Sequence, residues 1–352
     1  MVVEKVFRLL EEKDLDALII KSVPNKLYLH SLKGSGVYLV LTKSAVFQFF
    51  DGRYQQEIIE QTDKDYQQKE VVKGKYIDEI IAFLMKENVQ RVGIESNGLS
   101  IQEYNCLVRT FTVYLLHDEL ERIRSVKTPE EFLKIQAACQ LTDDIYSHIL
   151  PQIRVGMTEL ELSGLIHYQA LKSGASAMAF EPIIASGVRG AYPHGRPTNK
   201  RIERGELLTI DFGVILDHYQ SDMTRTVAVG LLSRQQKEIY QTVLQAQTQA
   251  VSVVVAGLQG RAIDKVAREV IEEAGYGDYF VHGLGHGIGL GGDLPILSPT
   301  SSMILEEGMV MTCEPGIYIP EFGGVRIEDV VAVQEGVGKR LTLSNKELIE
   351  VG

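Results

Sequence analysis

Hydrophobic positions in the first 120 residues alternate between helical and strand spacing. Apolar residues that recur every three or four positions predict amphipathic helices, and short apolar runs between turn residues predict strands. Helices are predicted over residues 1–13 and 77–86, and strands over 17–20, 37–42, 45–50 and 91–94. The strands at 37–42 and 45–50 are expected to form a hairpin across Lys43 and Ser44. This alternation predicts a small α/β domain over residues 1–120.

A charged stretch at residues 117–127 precedes a second part with longer helices. Thr128 is suited to an N-cap, Pro129 to the first helical position, and two glutamates follow in the first turn. Helical spacing then covers residues 130–152, 159–174, 235–256 and 262–274. The boundary is therefore predicted near residues 118–127, with a second domain over residues 121–352.

The first pair of strands predicted in the second domain carries two aspartates. Strands over residues 207–213 and 219–229 are separated by V-I-L-D-H and are expected to form an antiparallel hairpin that carries Asp211 and Asp222. A single aspartate at a strand end is usually solvated or caps a turn. In T-I-D-F-G, however, Asp211 lies between apolar residues, where an unpaired charge is costly. A cation or a basic side chain is expected to balance it.

The second pair of strands carries two glutamates. Strands over residues 309–319 and 325–333 are separated by P-E-F-G-G and are expected to form a hairpin that carries Glu314 and Glu328. Because side chains alternate along a strand, Arg326 shares a face with Glu328. Arg326 is either a partner that orients this acid or half of a cross-strand ion pair, and the sequence leaves both interpretations open.

Three histidines stand in contexts that suit a site. The segment V-H-G-L-G-H-G-I-G places His282 and His286 four residues apart, as in helical ligand pairs, but its glycines disfavour a helix. A glycine-rich loop or strand edge that allows close approach is predicted, and a flexible loop with two exposed histidines is the alternative. His194, in A-Y-P-H-G-R-P, is expected in a loop.

The four acids and His286 together have the composition of a site for two divalent cations. Oxygen-rich sets favour hard ions such as manganese over a thiolate type of zinc site. Two adjacent metals lower the pKa of a shared water and stabilise the oxyanion formed when it attacks an amide. The set therefore predicts hydrolysis, most simply of a peptide bond.

Composition narrows the class of protein without naming a substrate. The 352 residues carry a net charge of −11, which argues against nucleic acid or an anionic membrane as a partner. No apolar run reaches the ~18 residues of a membrane span, and the acidic first helix is not a signal peptide. Cys106, Cys139 and Cys313 are few and widely spaced, so a reducing cytoplasm is the predicted compartment. Cys313 is expected to be a small buried strand residue that points away from the metals.

The motifs, taken in order, resemble those of the Xaa-Pro peptidases: prolidase and aminopeptidase P, relatives of methionine aminopeptidase. T-I-D-F-G, S-D-M-T-R-T, G-H-G-I-G, T-C-E-P-G and V-R-I-E-D follow the family's order. N-K-L-Y-L-H-S-L, D-G-R-Y and I-R-S-V-K-T-P-E-E resemble its N-terminal domain and linker. The resemblance implies a small α/β domain followed by a pita-bread α+β catalytic domain with a curved antiparallel sheet. It also implies a homodimer that acts on Xaa-Pro peptides.

The resemblance assigns metal-binding roles to the five residues. It implies that Asp211 binds one metal, that His286 and Glu314 bind the other, and that Asp222 and Glu328 bridge both. Two divalent ions per chain are expected, Mn²⁺ before Co²⁺ or Zn²⁺.

Roles in the reaction follow from the same resemblance. It implies that a metal-bridging hydroxide attacks the peptide bond, with Glu314 as the general base that passes a proton to the leaving nitrogen. His194 and His282 would line the substrate pocket and stabilise the tetrahedral intermediate. Arg326 would lie beside the metal site.

One departure from the family pattern follows G-H-G-I-G-L. The family continues with two residues, His-Glu, one residue and Pro, whereas this chain has the shorter G-G-D-L-P. Asp293 stands where the histidine is expected and would add negative charge near the metals. Ile296, after the proline, is not a base that could bind a dipeptide's carboxylate.

A dipeptidase is predicted from chain length and overall likeness. The alternatives are an aminopeptidase P that acts on longer Xaa-Pro peptides, and a catalytically weakened homologue that binds a peptide or a protein because of Asp293.

Overall fold

The computed structural model describes residues 2–334 and 338–352, and the chain divides into two compact units, Met1–Arg124 and Ser125–Gly352. Of the first predicted helix, residue 1 lies outside the described residues. Within the described ranges, no helix is both long enough and apolar enough to cross a membrane.

The first unit is built on a six-stranded sheet in the order β4-β3-β2-β1-β5-β6. Its strands are β1 Ala17–Ile20, β2 Val37–Thr42, β3 Val46–Phe50, β4 Gln67–Glu70, β5 Arg91–Glu95 and β6 Thr112–Leu116. β1 runs antiparallel to β2 and parallel to β5, and β2 and β3 form the predicted hairpin. The four strands expected from the sequence lie at the centre of this sheet and are almost wholly buried.

The helices described along this part of the chain are α1 Val2–Glu12, α2 Val23–Tyr28, α3 Gln55–Gln61, α4 Tyr76–Lys86, α5 Ile101–Leu107 and α6 Glu119–Ser125. The predicted helices are confirmed as α1 and α4. The amphipathic spacing of α1 buries Val6, Leu9 and Leu10. The two edge strands, β4 and β6, were not predicted because most of their residues are exposed and do not alternate in polarity.

The long helices in the described ranges of the second unit are α7 Pro129–Ile149, α8 Glu159–Lys172, α9 Arg234–Ser252 and α10 Gly260–Glu273. Each matches a predicted helix. The predicted cap of α7 is confirmed, since Thr128 Oγ1 accepts from the Glu131 N–H while the Glu131 carboxylate accepts from the Thr128 N–H. Short 3₁₀ helices cover Leu150–Gln152, Gly187–Ala191 and Gly277–Tyr279.

The strands of the second unit are β7 Ala177–Met178, β8 Ile183–Ser186, β9 Glu206–Phe212, β10 Val214–Leu216, β11 Tyr219–Gln220, β12 Met223–Val229, β13 Gly285–Ile288, β14 Gly292–Leu297, β15 Val310–Cys313, β16 Gly316–Ile319, β17 Gly323–Arg326, β18 Asp329–Ala332, β19 Lys339–Arg340 and β20 Glu350–Val351. They form sheets in the orders β11-β10-β7, β20-β12-β9-β8, β14-β13-β15-β18-β19 and β16-β17. Among the described strands of this unit, β12 and β20 pair in parallel and the other pairings are antiparallel.

Apolar cores formed by the described residues support these sheets. α9 and α10 pack with the sheet that contains β13, β15 and β18, and Cys313 is buried in this core as expected. α7 and α8 pack with β8, β9 and β12 in the other core. The two groups of strands meet where the Glu328 N–H donates to Thr224 O, at 3.1 Å. This junction brings the acidic residues of different sheets together.

Candidate metal centre

Asp211 and Asp222 are placed by the antiparallel pairing of β9 with β12. Asp211 lies on β9 opposite Thr224, and Asp222 immediately precedes β12. The predicted hairpin is present, but the connecting V-I-L-D-H is not a simple loop. β10 pairs with β11, and only Asp217 and His218, both with positive φ, make the turn. Both aspartates of the site are buried.

Two chain segments approach so closely at Gly213 of T-I-D-F-G that only glycine fits there. A Cβ at this position would lie 1.9 Å from Ser221 O. This contact joins the end of β9 to the residue before Asp222, so it fixes the distance between the two aspartate-bearing segments. A side chain here would push them apart.

Glu314 lies at an interruption that the sequence did not predict. The single strand expected over 309–319 is two strands in different sheets, β15 and β16, because Pro315 has no N–H for a ladder. The Glu314 N–H instead donates to Leu284 O, at 2.8 Å. The chain thus changes partner at Glu314, and the acid lies at the edge of both sheets.

Glu328 occupies the matching interruption of the other predicted strand. The strand expected over 325–333 is divided into β17 and β18, and Ile327 and Glu328 lie between them. The Glu328 backbone bonds to Thr224 of β12, and the Thr224 hydroxyl donates to Glu328 Oε2 at 2.6 Å. The prediction of a single hairpin is therefore wrong in detail, because each of its two strands is divided between two sheets.

His286 lies on β13, so the expected absence of a helix here is confirmed, but the glycine-rich strand pairs with β14 on one side and β15 on the other. Its Nε2 is 3.7 Å from both Asp222 Oδ2 and Glu314 Oε1, too far for a hydrogen bond. Nδ1 donates to Gly287 O at 3.0 Å, which leaves the Nε2 lone pair directed at the acids. Such an imidazole is oriented to bind a cation held between these groups.

The carboxylates form a buried cluster whose composition suits a cation. One oxygen each from Asp211, Asp222 and Glu328 lie within 4.8 Å of one another. Burial raises the pKa of Asp222 well above its usual value, and the nearby Asp211 and Glu314 raise it further. Asp211 Oδ1 is buried and has no hydrogen-bond partner among the described residues. An unsatisfied oxygen and mutually repelling carboxylates are what a bound divalent cation would relieve.

Arg326 contacts the carboxylate cluster through Asp211 and Thr224. Its Nη2 donates to Asp211 Oδ2 at 2.5 Å, and its Nε donates to Thr224 Oγ1 at 3.0 Å. Because Thr224 in turn donates to Glu328, Arg326 reaches that glutamate only indirectly. The direct contact of Arg326 is an ion pair with an acidic residue of the site, so both interpretations left open by the sequence stand. That acid is Asp211 on β9, not Glu328.

Two threonines of the site went unnoticed in the sequence. Thr224 links Arg326 to Glu328, and Thr312 Oγ1 donates to Glu314 Oε1 at 3.1 Å. Thr312 also accepts from the His286 N–H, at 3.0 Å. Each threonine is two residues from an acidic residue of the site, so strand alternation was the signal that could have identified it.

His282 is held within a chain of hydrogen bonds. Its Nδ1 lies 2.7 Å from Gly283 O, and its Nε2 lies 2.8 Å from the Tyr318 hydroxyl, which also accepts from Arg326 Nη1 at 2.9 Å. Burial lowers the pKa of His282 to about 4, so the ring is neutral near pH 7. With Nδ1 donating, the Nε2 atom accepts the Tyr318 proton.

A single cavity of about 760 Å³ is lined by all five candidate ligands together with His194, His282 and Arg326. His194 is exposed on the predicted loop, next to Pro193, whose carbonyl accepts from Arg326 Nη1 at 2.9 Å. Phe180, Ile183 and Ile296 add apolar surface to the same cavity. The arrangement joins a candidate metal centre to a partly apolar pocket.

The structure pairs the negative charge of Asp293, which the sequence places near the metals, with a basic side chain. Asp293 lies on β14, is not among the residues that line the cavity, and pairs with Lys127 Nζ at 3.3 Å. Both side chains are only 1% exposed. A Cβ on Gly289 would lie 2.7 Å from an atom of each partner, so the last glycine of G-H-G-I-G packs on this pair.

Asp293→Asn is therefore expected to lower stability, because it leaves the Lys127 ammonium buried beside a neutral amide. We expect a loss of about 3–5 kcal/mol in the free energy of unfolding, measured with urea. The matched control, Lys127→Met combined with Asp293→Leu, should lose much less because neither charge of this pair is then left without the other. A single variant as stable as the parent protein would contradict this account of the pair.

Comparison with known proteins covers both units. The model of metallopeptidase family M24 matches residues 133–335, and the model of the creatinase/prolidase N-terminal domain matches residues 3–126. The Xaa-Pro dipeptidase of Pyrococcus furiosus is 38% identical over 351 residues, which are 98% of this chain and 99% of that protein.

Solved structures agree with this match. A Xaa-Pro dipeptidase from Bacillus anthracis superimposes with a TM-score of 0.94 at 36% identity, over 100% of both chains. An X-Pro aminopeptidase from Thermotoga maritima gives 0.91 at 33% identity, over 99% of both chains. The predicted fold, a small α/β domain followed by a pita-bread catalytic domain, is confirmed.

Proposed function

Because this chain belongs to metallopeptidase family M24, and within it to the Xaa-Pro peptidases, we propose that it is a dinuclear-metal dipeptidase that cleaves Xaa-Pro. The observation that carries the proposal is a cluster of three buried carboxylates, one with an unsatisfied oxygen, next to His286 and Glu314. Manganese is the proposed metal, since oxygen ligands outnumber the single imidazole.

Five residues would hold the two ions: Asp211, Asp222, His286, Glu314 and Glu328. When bound, such ions supply Lewis acidity, which makes water more acidic and stabilises developing negative charge. The chain's own contribution is to keep its carboxylates in place: Arg326 fixes Asp211, and Thr224 fixes Glu328. These contacts reduce the reorganisation that the acids need during the reaction.

Glu314 is the proposed general base. It would take a proton from the attacking water and deliver it to the leaving nitrogen of proline. Thr312 donates to one of its oxygens, so the carboxylate is held in one orientation toward the cavity.

The pocket beside the acids is the proposed site for the proline ring. Phe180, Ile183 and Ile296 provide apolar surface for a pyrrolidine, and His194 lies on a loop at the same cavity. We propose that His194 donates a hydrogen bond to the substrate. His282, which accepts from Tyr318, would support Arg326 and Tyr318 and would stabilise the tetrahedral intermediate only after its ring exchanges this bond.

The proposal is tested with Ala-Pro and Ala-Pro-Ala, supplied to metal-stripped protein reloaded with manganese. We expect rapid release of proline from Ala-Pro and slow cleavage of the tripeptide. Faster release of alanine from Ala-Pro-Ala would favour the aminopeptidase alternative. The similarity to the Thermotoga X-Pro aminopeptidase supports that alternative. Cleavage of neither peptide would contradict the proposal and favour a weakened homologue.

Assembly and compartment complete the proposal. Resemblance to the family supports a homodimer, which light scattering on the full chain would detect. Three widely spaced cysteines, with Cys139 and Cys313 buried, support a reducing cytoplasm as the compartment.

A further inference from the structure

The cavity has two arginines among the lining residues that the structure describes, and they differ in availability. Arg326 is buried and its guanidinium already donates to Asp211, Thr224, Tyr318 and Pro193. The side chain of Arg196 is 73% exposed at the cavity and pairs with Glu181, another lining residue. Arg196 is therefore the cation that an incoming anionic group meets.

The backbone that carries Arg196 is firmly anchored although its side chain is exposed. Arg189 Nη2 donates to Arg196 O at 2.7 Å, and Arg189 is paired with the fully buried Glu159. The same Glu159 carboxylate accepts from the N–H and hydroxyl of Thr198, at 3.0 and 2.8 Å. With Arg326 bonded to Pro193 O, the loop is held on both sides of Arg196.

We propose that Arg196 binds the C-terminal carboxylate of a dipeptide and so selects dipeptides over longer peptides, an inference that rests on the proposed function. A guanidinium binds a carboxylate through two parallel hydrogen bonds. Glu181 already places a carboxylate against Arg196, so the geometry suits that group. An exposed pair of this kind contributes little to stability, and a substrate carboxylate can replace Glu181 at small cost.

The apolar part of the cavity places the substrate consistently with this role. Phe180 precedes Glu181, Ile183 lies two residues after it, and all three line the cavity, so a proline ring packed on the apolar pair would have its carboxylate close to the Glu181–Arg196 pair. A longer peptide has a neutral amide at this point and forms no ion pair with Arg196. This residue would thus supply the carboxylate contact that Ile296, after Pro295, does not provide.

Arg196→Gln separates this role from catalysis when Ala-Pro is compared with its C-terminal amide. We expect kcat/KM for Ala-Pro to fall about ten- to a hundredfold, mostly through KM, as for a lost hydrogen bond to a charged group. Values for the amide should stay unchanged. The double variant Arg196→Gln with Glu181→Gln should behave like the single one, which excludes repulsion by the released glutamate. Arg234→Gln, an exposed arginine away from the cavity, is the matched control for net charge.

Binding measured without metal distinguishes this inference from the proposed function. In chelator-treated protein neither peptide is hydrolysed, and calorimetry gives the affinity for Ala-Pro and for its amide. We expect the wild type to prefer Ala-Pro and the Arg196→Gln variant to lose that preference. Equal losses for both peptides, or an unchanged preference in the variant, would overturn the role of Arg196. Failure of the metal-loaded wild type to cleave either peptide would instead overturn the proposed function.

Discussion

Replacing Glu314 with glutamine is expected to reduce the turnover of Ala-Pro by a factor of about 10³ or more, since loss of a general base alone typically costs about 10²–10⁴-fold. The change removes the group that would accept the proton and also weakens one metal ligand. Thr312 and His286 remain in place, so the fold around the site should persist. Steady-state release of proline at saturating manganese measures the effect.

Glu307→Gln is the matched control, because Glu307 is an exposed glutamate on the same unit. It should retain the activity of the parent protein. If Glu314→Gln kept turnover near that of the wild type while binding manganese normally, the base would have to be another residue.

Replacing Asp222 with asparagine should have opposite effects on metal binding and on the stability of the metal-free protein. Burial and the nearby Asp211 and Glu314 disfavour a charged Asp222, as the raised pKa of this carboxyl reflects. A neutral amide removes that repulsion and can donate to the remaining acids. We expect metal-free protein to gain about 1 kcal/mol, a rise in Tm of roughly 2–4 °C.

The same variant should lose the stabilisation that manganese gives to the wild type. A ligand at a hundred times its Kd stabilises the folded state by about 2.7 kcal/mol, so the missing shift is measurable by thermal unfolding. Asp278→Asn, at an exposed aspartate, should change neither value. A lower Tm of the metal-free Asp222→Asn protein would show that Asp222 serves the fold rather than a cation.

Local signals in the sequence predicted the long helices and the central strands of the first unit. The capping residues Thr128 and Glu131 begin α7 as expected, and the short apolar runs became the central strands of the first unit. These features depend on neighbours within a few residues, so periodicity and cap chemistry are sufficient to find them. The glycines around His286 likewise excluded a helix correctly.

Features that depend on distant parts of the chain were not predictable in this way. Two continuous strands were expected where the chain changes sheets at Glu314 and Glu328, since their backbone partners, Leu284 and Thr224, lie far away in sequence. The same holds for Asp293, whose charge is balanced by Lys127, 166 residues earlier. No local pattern identifies such a partner, because only the packed fold brings the two together.

Titration of metal-free protein with manganese, followed by proline release from Ala-Pro, tests the central claim most directly. If the five residues hold two divalent cations, activity should rise from near zero to a plateau, with two bound ions per chain by elemental analysis. A protein that cleaves Ala-Pro equally well without metal, or that retains only trace manganese at the plateau, would contradict the assignment of Asp211, Asp222, His286, Glu314 and Glu328 as a dinuclear metal centre.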